Sequence, residues 1–447
     1  MRKVIRKRFS ILFMICVLVC AFLSAPLKAA AREKSEVDEI ISSIPSDWPN
    51  APEIGARAAV LLDAQSGEIL YAKNATEMMY PASTTKLMTA LLTLENCSLQ
   101  DIVDFDFNAI NIPPGSSHVG MRRGEQMVLR ECLISLLLPS ANEVANALAQ
   151  HTAGTISNFV LMMNDRAKQL GAVNTAFTNP NGLHDEAHYT CAYDLALIMR
   201  ACVQNTTFVE IASMQSYVHH ADELLNKDIP MTNTNMMIRP SSEYYNEYVV
   251  LGKTGHTEES GYNLVTYAEK DGTSLICVVM GCESGNQYVS TQSLLDYGLN
   301  YFHTVLPAEL DQSLSMESAF TGSPIALPTP EISLLSLDTT ESILLPDNVT
   351  FDQLDKECVI TDSGMLINYS YEGYPLGTVT LNNTSNEETH PLFVKKDTSA
   401  LQVTEVPDLA LVDGWILVSL AVLTVFLVLF IRVIARMTLP KKRFTIS

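Results

Sequence analysis

From residue 57 to about 300 the apolar positions switch between a period of two and a helical period. Ala58 to Leu62 is a short apolar run, Asp63-Ala64-Gln65-Ser66-Gly67 supplies turn residues, and Ile69 to Ala72 returns, which predicts a hairpin. Leu87, Met88, Leu91, Leu92 and Leu94 recur at helical spacing, with Pro81 near the first turn. Leu129–Leu138 (closed by Pro139), Glu143–Gln150, Leu161–Leu170 and Asp194–Val203 predict further helices. Asn263–Ala268 and Ser274–Gly281 read as strands joined by the turn Glu269-Lys270-Asp271-Gly272. Strands at both ends of a segment with helices between them predict an α+β layer fold, an antiparallel sheet flanked by helices, over residues 32–305.

Past residue 305 the helical pattern fades. Pro324, Pro328 and Pro330 fall close together. Ser333–Leu337, Ser342–Leu345, Val359–Ile360, Met365–Tyr371 and Thr378–Leu381 are short β-prone runs. Asp347-Asn348, Asp362-Ser363-Gly364 and Asn382-Asn383 carry turn chemistry between and after them. The expectation is a small all-β domain over 306–400, followed by a stalk at 401–412.

Two apolar segments frame this region. Arg2, Lys3, Arg6, Lys7 and Arg8 precede an uncharged run, Ile11–Leu23, and then Ala29-Ala30-Ala31, the layout of a secretory signal over residues 1–31. Trp415–Ile431 holds no charge; Arg432, Arg436, Lys441, Lys442 and Arg443 follow it, and Asp408 and Asp413 precede it. That asymmetry predicts a C-terminal transmembrane helix at 413–435, a cytoplasmic tail at 436–447, and everything between signal and span outside the cell membrane.

Charge narrows the partners. The chain has 29 basic and 50 acidic residues. Six of the basic residues lie in the signal and five from Arg432 onward, with no acidic residue in either, so 18 basic face 50 acidic in between. Phosphate neutralisation needs Lys and Arg, so nucleic acid is excluded as a partner. Of nine cysteines, Cys16 and Cys20 belong to the signal; Cys97, Cys132, Cys191, Cys202, Cys277, Cys282 and Cys358 are scattered, odd in number and without a C-x-x-C pair. They read as buried free thiols rather than a disulfide framework.

Three short motifs could carry chemistry. Ser83-Thr84-Thr85-Lys86 is the only Ser-x-x-Lys in the chain. Its i, i+3 spacing puts the amine beside the hydroxyl on a helix. Serine is a poor nucleophile without an adjacent base, and an amine serves as base only if its pKa is lowered. A serine in the first turn also has a free backbone N–H aimed at developing negative charge. Taken alone, the motif is more often an ordinary helix start with a surface lysine. Ser140-Ala141-Asn142 can relay a proton and hold a carbonyl or the lysine, or simply cap a helix; the pattern recurs at Ser284-Gly285-Asn286. Lys253-Thr254-Gly255, on a strand edge, can grip a carboxylate by charge and hydrogen bond, with glycine admitting a close backbone.

Together and in this order, separated by 57 and 113 residues, the three form the joint signature of class A β-lactamases and penicillin-binding proteins. Order selects Ser140 over Ser284, which follows Lys253. Over roughly residues 50–305 the sequence resembles the low-molecular-mass penicillin-binding proteins, the serine-type D-Ala-D-Ala carboxypeptidases. The resemblance rests on Pro81-Ala82-Ser83-Thr84-Thr85-Lys86, Leu138-Pro139-Ser140-Ala141-Asn142-Glu143, Asn179-Pro180-Asn181-Gly182-Leu183-His184 and Gly252-Lys253-Thr254-Gly255-His256-Thr257. It implies that Ser83 is acylated, that Lys86 takes its proton, and that Ser140 and Asn142 complete the relay. It further implies that Lys253 and Thr254, on the substrate-binding strand with Gly255 and His256, hold a terminal carboxylate. The oxyanion hole would be the backbone N–H groups of Ser83 and His256. The implied substrate is a peptidoglycan stem peptide ending in D-Ala-D-Ala, with β-lactams as inhibitors and no cofactor or metal. The family usually carries a β-rich C-terminal domain and a membrane-associated C-terminus, often an amphipathic helix; here that segment is apolar all round.

Three rivals fit less well. A class A β-lactamase needs a glutamate for its deacylating water, and the nearest pattern, Glu223-Leu224-Leu225-Asn226, is one residue short and only 30 residues before Lys253. A non-enzymatic sensor of β-lactams or wall fragments would signal through a tail of only 436–447. Metal hydrolysis would draw on His184 and His188, but Asn181-Gly182 makes their segment a loop and no His-Glu-x-x-His occurs.

Overall fold

The strands expected at the two ends of the first segment meet in one sheet. In the computed structural model, which describes residues 36–45, 47–311, 335–361 and 364–383, β1 (Ala58–Asp63) and β2 (Ile69–Lys73) form the predicted hairpin. β7 (Val249–Thr257), β8 (Gly261–Lys270) and β9 (Thr273–Cys282) join them in the order β2-β1-β9-β8-β7, antiparallel throughout. β7 is therefore an edge strand. The β8–β9 turn places Asp271 and Gly272 at φ of 50° and 87°, the left-handed pair that a tight two-residue hairpin requires.

Helices fill the sequence between β2 and β7. After α1 (Glu36–Ser42) come α2 (Lys86–Asn96), α3 (Phe107–Ile110), α4 (Leu129–Leu137), α5 (Asn142–Ala153), α6 (Ile156–Gln169), α7 (Ala192–Val203) and α8 (Thr206–Ala212). Two small ladders, β3 (Ile102–Asp104) with β4 (Gln126–Val128) and β5 (Ser216–His219) with β6 (Ile229–Thr232), interrupt them. Four of the predicted helices appear with longer ends. α6 begins at a Thr155 cap whose hydroxyl accepts from the Asn158 N–H, and α5 runs on to Gly154, which leaves the helix at φ 75°.

Alternation along the central strands explains their near-continuous apolar sequence. Ala58, Val60 and Leu62 with Ile276, Val278 and Met280 face Leu91, Leu133, Leu148 and Leu195 of the helices. Ala59 and Leu61 with Leu275, Cys277 and Val279 face the other way, against α9 (Asn286–Tyr301) and the β-rich region. A sheet covered on both faces reads as an unbroken hydrophobic run. No helix was expected at α9. Its inward face includes Gln287, Ser290 and Thr291, with the Thr291 hydroxyl bonded back to the Gln287 carbonyl, so an apolar stripe is weak there.

The later strands form a four-stranded antiparallel sheet, β11 (Leu335–Leu337), β15 (Tyr374–Asn383), β14 (Gly364–Tyr371) and β13 (Asp355–Thr361) in that order. A separate pair joins β10 (Phe302–Val305) to β12 (Ile343–Pro346), so the chain enters the β-rich region before residue 305 and the short helix α10 (Pro307–Leu310). One turn expectation is corrected. Asn382 and Asn383 lie in the ladder, opposite Ser336 and Leu335, because β11 supplies the backbone partners that turn residues otherwise lack. Tyr374 packs edge-on to Trp48, with centroids 5.3 Å apart, and its hydroxyl donates to the Ile69 carbonyl of β2.

All seven cysteines of the described region are free, five of them buried. The expected signal, stalk, span and tail lie outside the described residues, and among the described residues no helix is long and apolar enough to cross a membrane. Ile276 lies fully buried at the centre of the sheet. Ile276→Ala is expected to destabilise the fold by about 2–5 kcal/mol, read as a lower urea midpoint at unchanged slope.

Candidate active site

Ser83 stands in a 3-10 turn, Ala82–Thr85, that feeds directly into α2. The turn is held from three sides. The Asn263 amide of β8 donates to the carbonyls of Tyr80 (2.9 Å) and Pro81 (3.1 Å) and accepts from the Gly281 N–H. The Thr85 hydroxyl lies 2.8 Å from His188 Nε2, and His188 Nδ1 accepts from the Thr178 N–H. The third side is steric. A Cβ on Gly182 would stand 1.9 Å from the Ala82 carbonyl oxygen, and one on Gly255 would stand 2.7 Å from that of Pro81. Only glycine lets the 179–183 loop and the β7 edge lie this close to the serine. Ala82 itself takes φ 50°, a left-handed conformation that costs an alanine about 1–2 kcal/mol.

Lys86, the first residue of α2, is fully buried. Its Nζ lies 3.0 Å from Ser83 Oγ, 2.7 Å from Asn142 Oδ1 and 2.6 Å from the Asn181 carbonyl. Burial pushes its pKa well below the usual lysine value; the charge of Lys253 adds to this and Glu143 opposes it. Asn142 opens α5, and its N–H donates to the Ser117 carbonyl. Next to it, the buried Glu143 carboxylate accepts from the N–H groups of Val119 (2.8 Å) and Gly120 (3.0 Å), which fixes the loop over the cleft.

Ser140 precedes α5 at φ 65°, and its buried hydroxyl has no hydrogen-bond partner among the described residues. Lys253 is 1% exposed on β7, where burial pushes its pKa down to about 7; its Nζ lies 3.0 Å from the Thr254 carbonyl. Thr254 Oγ1 meets Thr234 Oγ1 at 2.7 Å. His256 is exposed and stacks on Tyr262 at 4.1 Å. Ser83, Ser140, Asn142, Thr254, Gly255 and His256 all line one cleft of about 390 Å³. A larger cavity, about 770 Å³, lies where the β-rich region meets the β1–β2 turn and contains none of the motif residues.

The three motifs thus converge from a helix start, a helix-to-helix turn and an edge strand. The second Ser-x-Asn does not join them: Gly285 caps the start of α9, and Asn142 is the asparagine that reaches Lys86. Glu223 is exposed in the β5–β6 connection, where Asp222 organises the turn, and it is not among the groups bonded to Lys86. His184 and His188 do not pair. His188 is buried and held neutral, its pKa lowered to about 4 by burial, while His184 packs edge-on to Tyr80. Sequence reasoning assigned no role to Thr234, to the Asn181 carbonyl or to Glu143. Asn181 and Glu143 lie inside the segments that carry the resemblance, but nothing local marks Thr234.

Comparison with known proteins identifies a family. A family model described as D-alanyl-D-alanine carboxypeptidase matches residues 46–284. The chain is 30% identical over 310 residues to the D-alanyl-D-alanine carboxypeptidase DacF of Bacillus subtilis, covering 66% of this chain and 77% of that one. It is 31% identical over 312 residues to DacC of Escherichia coli, covering 67% and 72%. Among solved structures it is similar to penicillin binding protein 5 from Haemophilus influenzae, at a TM-score of 0.59 and 25% identity over 75% of this chain and 98% of that one. Penicillin binding protein 6B from Escherichia coli aligns with a TM-score of 0.57 and 26% identity over 75% and 97%. With more than half of its length matched by the family model and all three motifs gathered in one cleft, this chain belongs to the D-alanyl-D-alanine carboxypeptidase family.

Proposed function

We propose that this protein removes the terminal D-Ala from peptidoglycan stem peptides through an acyl-enzyme on Ser83. The observation that carries this reading is the buried Lys86 amine, 3.0 Å from Ser83 Oγ and between two fixed acceptors. A neutral amine has two N–H donors and one lone pair. The Asn142 Oδ1 and Asn181 carbonyl occupy the donors, so the lone pair is left for the Ser83 hydroxyl proton. Burial supplies the lowered pKa that keeps the amine neutral.

In the reaction, Lys86 takes the Ser83 proton as Oγ adds to the penultimate D-Ala carbonyl. The backbone N–H groups of Ser83 and His256 are the donors for the oxyanion. Lys253 and Thr254 hold the terminal carboxylate. When the C–N bond breaks, the departing D-Ala nitrogen needs a proton. The unpartnered Ser140 hydroxyl can pass it from Lys86 and be reprotonated in turn. Water, deprotonated by the same amine, then attacks the ester and frees Ser83. A β-lactam offers the same carboxylate and a strained amide, so penicillins should acylate Ser83, and slow deacylation would make them inhibitors. No glutamate corresponding to a β-lactamase deacylation base lines the cleft among the described residues. Export and tethering belong to the same reading, supported by the basic-apolar run of residues 1–31 and the charge asymmetry around 413–435.

Ser83→Ala is expected to abolish covalent labelling by fluorescent penicillin while leaving the melting temperature nearly unchanged; a surviving label would refute the assignment. Gly182→Ala forces the Ala82 carbonyl to move, and slower acylation by on the order of 100-fold is expected with the fold retained. The pH profile has two limbs of opposite sign. Lys86 must be neutral, so acylation falls as pH drops through its depressed pKa. Lys253 must be charged, so kcat/KM falls as pH rises through about 7. Lys253→Arg, charged at all working pH values, should move the alkaline limb out of range.

A further inference from the structure

Cys97, Asp101 and His151 each offer one ligand atom, and the three atoms lie within 4.8 Å of one another. We propose that they form a divalent-metal site of zinc chemistry that clamps the far ends of α2 and α5.

The two helices run side by side in the same direction. Their first residues, Lys86 and Asn142, touch at 2.7 Å. At the opposite end, Cys97 is the C-cap of α2 and His151 lies in the last turn of α5. Cys97 Sγ meets the neighbouring Thr152 hydroxyl at 3.4 Å, which brings the two helix ends together again. Asp101, four residues beyond Cys97, reaches into the same place. Its Oδ2 lies 3.2 Å from His151 Nε2 and accepts the Ser98 N–H at 3.1 Å.

Ligand chemistry favours zinc. A thiolate, an imidazole and a carboxylate, with water as the fourth ligand, suit its tetrahedral preference. Bonds of about 2.0–2.3 Å place neighbouring ligand atoms roughly 3.3–3.8 Å apart, so side chains already within 4.8 Å need little movement. Solvent reaches the trio: the side chains of Asp101 and His151 are 38% and 25% exposed.

The local field supplies a second, independent argument. Two parallel helices direct both of their negative dipole ends here, where a cation is stabilised. α2 has no basic residue in its last turn, and α5 has only His151. A metal would meet this unbalanced field with more charge than a single imidazolium. The position is about 16 Å along α2 from Lys86, so the metal would brace the helices without entering the cleft. No spacing motif advertises the site, because Cys97 and Asp101 are joined to His151 only by the packing of α5 on α2.

The test uses the purified full chain in detergent with zinc or cobalt(II) chloride. One equivalent of cobalt should give a thiolate charge-transfer band, which Cys97→Ser abolishes and Cys358→Ser, at the other half-buried thiol, retains. Asp101→Asn and His151→Gln should each weaken zinc binding by at least about tenfold. Zinc should raise the melting temperature of the unaltered chain and not that of Cys97→Ser. Affinity should fall at lower pH, where the ligands take up protons. Covalent labelling of Ser83 by fluorescent penicillin serves as the check that each variant is folded. If Cys97→Ser fails that check, zinc protection of Cys97 from iodoacetamide in the unaltered chain decides instead. Absence of the band and of protection, or a band that survives Cys97→Ser, would overturn the site and leave a His–Asp pair beside a thiol.

Discussion

Taking the Lys86 amine wholly out of water is the constraint around which the rest of this structure is arranged. An isolated ammonium in a low-dielectric interior is expensive, and the usual remedy is a carboxylate partner. Among the described residues none is bonded to Lys86. The nearest influence, Glu143, spends one oxygen on the N–H groups of Val119 and Gly120. Lys86 has only neutral acceptors, and Lys253 is buried nearby with the Thr254 carbonyl. Each amine depresses its own proton affinity through burial, and the Lys253 charge lowers that of Lys86 further. Two cations without counter-ions are tolerable only where the protein can shed a proton, which is the property a general base needs.

Such a site demands rigid walls, and the fold provides them by covering both faces of the sheet. The Ser83 turn is pinned to β8 through Asn263, to the 179–183 loop through Gly182, and to the β7 edge through Gly255. Left-handed backbone at Ala82 and Ser140, neither of them glycine, marks where the chain bends beside the cleft. Strain of this kind persists only where surrounding contacts over-determine the conformation, and it gathers where geometry matters for chemistry. Among the described residues no strand lies beyond β7, so its outer edge borders the cleft, open to an extended substrate.

The same parallel pair of helices gives the two ends of the helical layer opposite electrostatic character. The N-terminal ends of α2 and α5 converge on Ser83, Lys86 and Asn142, where positive helix ends disfavour a second cation and favour an oxyanion. Their C-terminal ends converge on Cys97 and His151. A feature of one end is thus a consequence of what the other end requires, because a helix cannot present its N-terminus to the cleft without presenting its C-terminus elsewhere.

The sequence by itself determined the local elements and marked the candidate reacting groups. Alternation found two of the three hairpins of the main sheet, β1–β2 and β8–β9, the helical period found α2, α4, α5, α6 and α7, and three motifs named Ser83, Lys86, Ser140, Asn142, Lys253 and Thr254. These signals are local: a period, a turn dipeptide or an i, i+3 spacing depends on residues that are near in sequence. Tertiary structure alone decided that a backbone carbonyl from Asn181 completes the shell of Lys86. It also decided that Thr234 backs Thr254, that α9 forms under a partly polar face, and that Asn382 and Asn383 extend a strand. Each of these depends on pairing between segments tens to hundreds of residues apart. No local pattern specifies such pairing, because the free energy that selects it comes from burying surfaces that exist only once the chain has folded.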